Sequence, residues 1–190
     1  GSAVLNSFRQ VGGSIGIALM GAIVAHEVGA RRTPEAFVDG FSRALEVAAA
    51  VSVPIVLYNI PYRTGVSLTN ETLLQLAWHP NVVGMKDCGA DRAQSIDLLG
   101  RRPPGFRVLT GEDALYHEAL ADGADGAILL SAHLETEAFA SVQTLMKEGD
   151  RNGALACWKG TSALTRLLFA EPSPAPAKYW LARNGLIDSA

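Results

Sequence analysis

Residues 53–59 read VPIVLYN and residues 82–87 read VVGMKD. Each opens as a short apolar run and ends on polar groups, Tyr58-Asn59 in the first and Lys86-Asp87 in the second. Runs of this length and composition fit strands covered on both faces. Two more follow, FRVLTG at 106–111 and GAILLSA at 126–132. Between them lie helix-patterned stretches: NETLLQLAWH (70–79), DRAQSIDLLG (91–100) and EDALYHEALADG (112–123), the last with Gly123 as its stop. This alternation is the βαβ rhythm of a parallel sheet, so the expected class is α/β. Beyond the fourth run the sequence turns helical, over 136–148, 150–169 and 177–184, with EPSPAP at 171–176 as a rigid, mostly non-helical connector.

The first fifty residues differ in character. VGGSIGIALMGAIVA, Val11 to Ala25, carries no charge over fifteen residues. Fifteen helical residues span about 22 Å at 1.5 Å each, short of the roughly 30 Å hydrocarbon core of a bilayer. Gly12, Gly16 and Gly21 supply a small-residue face of the kind that lets helices approach closely. A helix packed against protein is the preferred reading, and membrane contact through residues 11–25 the less favoured one. Thr33-Pro34-Glu35 then marks a helix start, with a capping hydroxyl, a proline at the first position and an acid in the first turn. Phe37, Phe41, Ala44, Leu45 and Ala48 fall on one face of the helix that follows, expected to run to about Ala50.

The chain has 190 residues, enough for one domain with a sizeable core, and a net charge of −3. No basic excess points to nucleic acid and no polybasic run to a membrane surface. Cys88 and Cys157 are far apart and the four histidines are scattered, without the spacing of a zinc site or a disulfide framework. The expectation is reduced thiols, no metal, no cofactor and a cytoplasmic location.

In a parallel βα array, ligands gather at the carboxyl ends of the strands. Tyr58 stands near that end of the first run and Lys86 near that end of the second. Neighbouring strands lie about 4.8 Å apart, so a phenol and an amine face one mouth. Arg63, in the turn YNIPYRTG (58–65), lies at the same rim, where a guanidinium can hold a carboxylate by two parallel hydrogen bonds. An amine, a phenol and a carboxylate clamp are what attack on an α-keto acid requires: lysine condenses with the ketone, and tyrosine moves the protons. The sequence also allows plainer readings. Lys86 is equally a strand-end lysine solvated along its stem, Tyr58 a rim aromatic, and Arg63 a surface arginine.

VPIVLYNIPYRTGVSLTNETLLQLAWHPNVVGMKDCGAD (53–91), FRVLTGEDAL (106–115), GADGAILLSAH (123–133) and EPSPAPAKYWLARNGLID (171–188) resemble the later half of the dihydrodipicolinate synthase/N-acetylneuraminate lyase family. The resemblance covers about residues 50–190. It implies a partial (half) TIM barrel: four parallel βα units with a C-terminal helical extension, preceded by two N-terminal helices. It also implies a pyruvate-dependent class I aldolase or lyase in which Lys86 forms the Schiff base and Tyr58 relays protons. By the same resemblance Arg63 receives a substrate carboxylate, Gly111 and Ile128 line the pyruvate pocket, and the partners are a 2-keto acid such as pyruvate and an aldehyde.

The family's threonine-bearing segment that holds the pyruvate carboxylate has no counterpart here. Residues 1–49 instead resemble a late transmembrane region of major facilitator superfamily drug-efflux transporters, through LNSFRQVGGSIGIALMGAIV (5–24) and FVDGFSRAL (37–45). The chain thus reads as a fusion, residues 1–50 helical and transporter-like, residues 51–190 a half-barrel. Its reaction is expected to be impaired by the missing front half. Two other readings stand beside the enzyme: an inactive half-barrel scaffold that self-associates into a homo-oligomer, and a membrane-associated transporter fragment.

Overall fold

The structure is a computed structural model that describes residues 22–26, 29, 33–49 and 54–188. Residues 22–26 are helical, and the rest of the apolar run from Val11, with its glycine face, lies outside the described residues. Among the described residues no helix is long and apolar enough to cross a membrane. The chain divides into two compact units, Gly1–Ile55 with Glu71–Val83, and Val56–Asn70 with Gly84–Ala190.

In the first unit, helix α1 runs Pro34–Ala49. Its start is the one the sequence marks: the Thr33 hydroxyl accepts the Ala36 N–H at 3.2 Å. Ala36, Gly40 and Ala44 recur every four residues and are buried, while Ser42, Arg43 and Glu46 are exposed. The side chains of Phe37, Phe41, Leu45 and Ala48 lie outside what is described. Leu73, Leu76 and Ala77 are also buried. They belong to a helix that closes into a turn where the His79 N–H donates to the Leu76 carbonyl at 3.0 Å and the Asn81 N–H to His79 Nδ1 at 3.2 Å.

The strands form a four-stranded sheet in the order β1-β2-β3-β4, with β1 at Ile55–Asn59, β2 at Val82–Asp87, β3 at Arg107–Thr110 and β4 at Gly126–Ala127; the second unit holds Val56–Asn59, Gly84–Asp87 and all of β3 and β4. Lys86 pairs in parallel with Leu109, and Leu109 with Gly126. Each connection carries helix: α2 (Pro61–Thr64) and α3 (Asn70–Ala77, the helix of Leu73 and Leu76, which from Glu71 on belongs to the first unit), then α4 (Arg92–Arg101), then α5 (Tyr116–Ala121). α6 (Thr136–Glu148), α7 (Arg151–Leu168) and α8 (Ala175–Arg183) follow. Aspartates open two of these helices, Asp91 accepting the Gln94 N–H at 3.0 Å and Asp150 the Gly153 N–H at 2.8 Å. Gly149, at φ 85°, ends α6 in the left-handed conformation that a side chain disfavours.

The core among α5, α6 and α7 is aromatic. Tyr116, Phe139 and Trp158 pack with ring centroids 5.3 to 6.0 Å apart, around Val142 and Ala154, which are fully buried. The Tyr116 hydroxyl, buried with them, donates to the Phe139 carbonyl at 2.9 Å.

The structure differs from the sequence-based expectation in three places. The fourth strand was expected over 126–132 but holds only Gly126–Ala127. The buried Asp113 carboxylate takes the backbone N–H groups of Ser131 at 2.6 Å and Leu130 at 3.4 Å, which turns 131–133 into a 3₁₀ helix. The same aspartate sits in a 3₁₀ turn at 113–115, so the helix expected over 112–123 is a turn followed by α5. Finally, α8 begins at Ala175 inside the expected connector, because Pro176 falls in the first turn, where a missing N–H costs nothing.

Asp125 closes β3 onto β4. It accepts from the Val108 N–H at 2.9 Å and Arg107 at 2.8 Å and pairs with Arg102, while its carbonyl accepts from Gln143 at 2.9 Å. Burial works against its charge, but the Val108 N–H and the two guanidinium groups outweigh it and hold the carboxyl below the usual aspartate range. The stability it contributes is complete above that range and is lost as pH falls through the lowered value. Circular dichroism over an acid series is therefore expected to show a shallower pH dependence of unfolding for Asp125→Asn than for the wild type. Asp113→Ala strands the buried Ser131 N–H and the part-buried Leu130 N–H, with an expected loss of about 1–3 kcal/mol in urea unfolding.

Candidate active site

Parallel register decides which side chains share a face. Met85 pairs with Val108, and both are buried. Lys86, Leu109 and Gly126 take the opposite face. Along β1, Leu57 and Asn59 are buried, whereas Val56 and Tyr58 are 49% and 52% exposed. Tyr58 and Lys86 lie side by side: Lys86 Nζ is 3.3 Å from the Tyr58 hydroxyl and 4.5 Å from its ring centroid. Lys86 is half-buried, between the two environments that its sequence allows.

One hydrogen bond just past each strand continues the ladder. The Cys88 N–H donates to the Asn59 carbonyl at 2.8 Å, the Gly111 N–H to Asp87 at 2.7 Å, and the Ile128 N–H to Thr110 at 2.9 Å. Gly111 comes so close that a Cβ built on it would lie 2.4 Å from Lys86 Cε and 2.2 Å from Cys88 Sγ. The lysine stem and the thiol thus pack across a glycine where no side chain fits. Ile128, beyond the short β4, is 48% exposed.

Arg63 sits in α2, one residue before Thr64 ends it, and is exposed, with its guanidinium carbon 5.9 Å from the Tyr62 ring centroid. The loop that carries it is anchored by buried Asn59, whose side-chain Oδ1 accepts the Leu68 N–H at 3.1 Å. After β2, Asp87 organises the next loop, accepting from the Gly89 N–H at 2.9 Å and the Ser95 hydroxyl at 2.6 Å. Ala90 takes a left-handed φ of 54° in that loop.

Two residues that the sequence reading did not single out join the cluster. The buried Cys88 thiol lies 3.9 Å from the Tyr58 hydroxyl. The Glu112 carboxylate bears on the same thiol. Cys88 follows Lys86 by two positions and Glu112 follows Gly111 by one, so the loops after β2 and β3 were the only signal.

Partial burial, then the hydrogen bond and charge of Cys88, push the Tyr58 phenol above its ordinary 10.0; Arg63 pulls it down and Glu112 adds to the rise. Burial lifts the Cys88 thiol to about 11, opposed by Tyr58 and by the Lys86 charge. Burial also raises the Glu112 carboxyl, the thiol contact opposing and Asp113 and Asp87 adding to the rise. The arrangement offers an amine in contact with a phenol that holds its proton, which is the equipment for condensation with a carbonyl compound.

The model of the family described as Dihydrodipicolinate synthetase family matches residues 37–190. The match begins thirteen residues before the boundary expected near 50, so FVDGFSRAL falls inside it. The transporter likeness of residues 1–49 finds no support in these comparisons. The chain is 46% identical over 143 residues to 4-hydroxy-tetrahydrodipicolinate synthase 2 of Clostridium acetobutylicum, covering 75% of this chain and 50% of that protein. It resembles the crystal structure of dihydrodipicolinate synthase from Aquifex aeolicus, with a TM-score of 0.77 and 27% identity, covering 83% of this chain and 53% of that one. It also resembles the chloride-inhibited dihydrodipicolinate synthase of Acinetobacter baumannii complexed with pyruvate, with a TM-score of 0.75 and 34% identity, over 82% and 53% of the two chains. The chain spans about half the length of the curated relatives it matches.

Gly111→Ala is expected to drive Lys86 and Cys88 apart and to cost about 1–3 kcal/mol by overpacking. Urea denaturation measures the loss.

Proposed function

The chain belongs to the dihydrodipicolinate synthetase family, and from that premise we propose that it forms a Schiff base between Lys86 and pyruvate, or another 2-keto acid, as a lyase or synthase of the class I aldolase type. The observation that carries this reading is the 3.3 Å approach of Lys86 Nζ to the Tyr58 hydroxyl, with the lysine stem packed across Gly111. The Acinetobacter baumannii relative, whose structure is complexed with pyruvate, supports the choice of keto acid.

The chemistry follows from the groups. The amine, in its neutral form, attacks the ketone carbon and passes a proton to the carbonyl oxygen; the nitrogen lone pair then forms the C=N bond as the C–O bond breaks, and the hydroxyl takes a second proton from Tyr58 and leaves as water. The imine draws electrons from the neighbouring carbon, which loses a proton and becomes the nucleophile for an aldehyde. Gly111 and Ile128 border the keto acid, and Arg63 receives a carboxylate of the second substrate. The family match over residues 37–190 includes the strands and loops that bear the site, and the protein works in the cytoplasm.

Incubation with pyruvate, borohydride reduction and peptide mass spectrometry test this. The expected result is one reduced adduct on Lys86, absent from Lys86→Ala, with Tyr58→Phe slowing its formation by about 10²-fold or more. An unmodified wild-type Lys86 would overturn the reading.

A second reading is favoured by the half-exposed Val56, Tyr58 and Ile128, an apolar sheet face suited to self-association: a homo-oligomeric scaffold that retains the lysine without turnover. Adduct formation with no aldol product, from an oligomer in sedimentation, would select it. A monomer would exclude it.

A further inference from the structure

Arg63 rides on a stretch of chain that apolar packing does not hold. From Tyr62 to Ser67 every residue is exposed, and α2 buries none of its side chains. Hydrogen bonds inside the stretch give it a shape. The Gly65 N–H donates to the Pro61 carbonyl at 2.8 Å, and the Thr64 hydroxyl lies 3.1 Å from the Ile60 carbonyl and 2.8 Å from that of Val66. These bonds tie the stretch to itself. What ties it to its surroundings comes where the chain returns, at Leu68. The Leu68 N–H donates to Asn59 Oδ1 at 3.1 Å, and the Leu68 carbonyl accepts from Gln94 Nε2 at 2.7 Å. Buried Asn70 backs this grip, its Nδ2 donating to the Gln94 carbonyl at 2.9 Å and to Asp97 Oδ2 at 2.7 Å.

Both sides of the grip stand on elements of the site. Asn59 follows Tyr58 and is 3% exposed, and its own carbonyl accepts the N–H of Cys88, two residues past Lys86. Its Oδ1, shut away from water, depends on the Leu68 N–H for a partner. Gln94 lies in the first turn of α4, capped there by Asp91. The next residue, Ser95, donates at 2.6 Å to the carboxylate of Asp87, which adjoins Lys86.

We infer, on the reading in which Lys86 holds the keto acid and Arg63 the second substrate's carboxylate, that Asn59 and Gln94 are positioning residues: gripping Leu68 from two sides, they set the place of the Arg63 guanidinium relative to the Lys86 amine, and with it the preference for a second substrate that carries a carboxylate. Both act through the Leu68 backbone. Pairing of a guanidinium with a carboxylate is directional, so a loosened stretch loses affinity for that group. Lys86 is held by β2, Gly111 and Tyr58, so its own reaction with a keto acid does not pass through Leu68.

The test uses the full chain and Gln94→Met, which keeps the length of a partly exposed side chain and removes its donor. The Asn70 contact to the Gln94 backbone carbonyl survives the change. Three measurements are made: amide hydrogen exchange at Leu68 and Cys88 by nuclear magnetic resonance, succinate binding followed on the succinate signal, and borohydride trapping of pyruvate on Lys86. Gln94→Met is expected to speed Leu68 exchange about 5-fold and to weaken succinate binding about 5-fold. Cys88 exchange and the rate of pyruvate trapping are expected to stay at their wild-type values. Arg63→Ala is expected to weaken succinate binding about 10-fold or more, and adding Gln94→Met to it is expected to change nothing further, because the two act as a unit. Asn59→Ala is expected to repeat the Gln94→Met pattern; if it does not fold, Gln94→Met decides.

Unchanged Leu68 exchange or unchanged succinate binding in Gln94→Met overturns the inference. So does a loss of succinate binding that persists in the Arg63→Ala background, or an Arg63→Ala variant that binds succinate as the wild type does. A parallel fall in pyruvate trapping overturns it too, since the variant would then disturb the whole site. If the wild-type protein traps no pyruvate, the Schiff-base reading fails on its own account, and Leu68 exchange and succinate binding decide the role of the grip.

Discussion

Three backbone hydrogen bonds just beyond the strands hold the site together: Asn59 to Cys88, Asp87 to Gly111 and Thr110 to Ile128. Each joins the first residue past one strand to the carboxyl end of its neighbour. Parallel pairing makes this repeat regular, because equal steps along adjacent strands bring equivalent positions into line. The result is a rim on which the phenol of β1, the amine of β2, the glycine after β3 and the isoleucine after β4 stand in sequence. A shift of one residue in any pair would send one of these side chains to the helix-covered face.

The rim is asymmetric. The helix-side face is dry, with Met85, Val108 and Thr110 buried, and the loops above it are held by buried polar groups such as Asn59 and Asp113. The other face leaves Val56, Tyr58 and Ile128 about half exposed. Lys86 stands between the two, its stem packed against Gly111 and its amine against the phenol. The thiol and carboxylate behind the phenol extend the polar cluster through the strand ends, and burial lifts the pKa of each. A phenol that keeps its proton beside an amine can act as an acid toward a carbonyl oxygen. A solvated pair in the same geometry would have its protons supplied by water.

Local chemistry accounts for the elements that were legible. Thr33-Pro34 starts a helix because a hydroxyl can cap a first turn and a proline needs no partner there. β2 and α6 coincide with their expected bounds because their apolar periodicity and their stops agree. β4 could not be read correctly. GAILLSA has the composition of a long strand, but a carboxylate thirteen residues earlier in the chain from Gly126 takes the backbone groups that would have continued the ladder. Asp113 gives no local sign of that role, since its partners meet it only through the fold.

The sequence by itself determined the α/β alternation, the family and the identity of the residues at the strand ends, because periodicity, turn residues and motif order are properties of neighbouring positions along the chain. Only the tertiary structure decided that Lys86 is half-buried rather than solvated, that Gly111 is required by the lysine stem and the thiol packed across it, and that Cys88 and Glu112 belong to the same cluster as Tyr58. Those outcomes depend on distances between strands that the chain connects through whole helices, and on how much water the packed loops exclude. Neither quantity is a function of local composition.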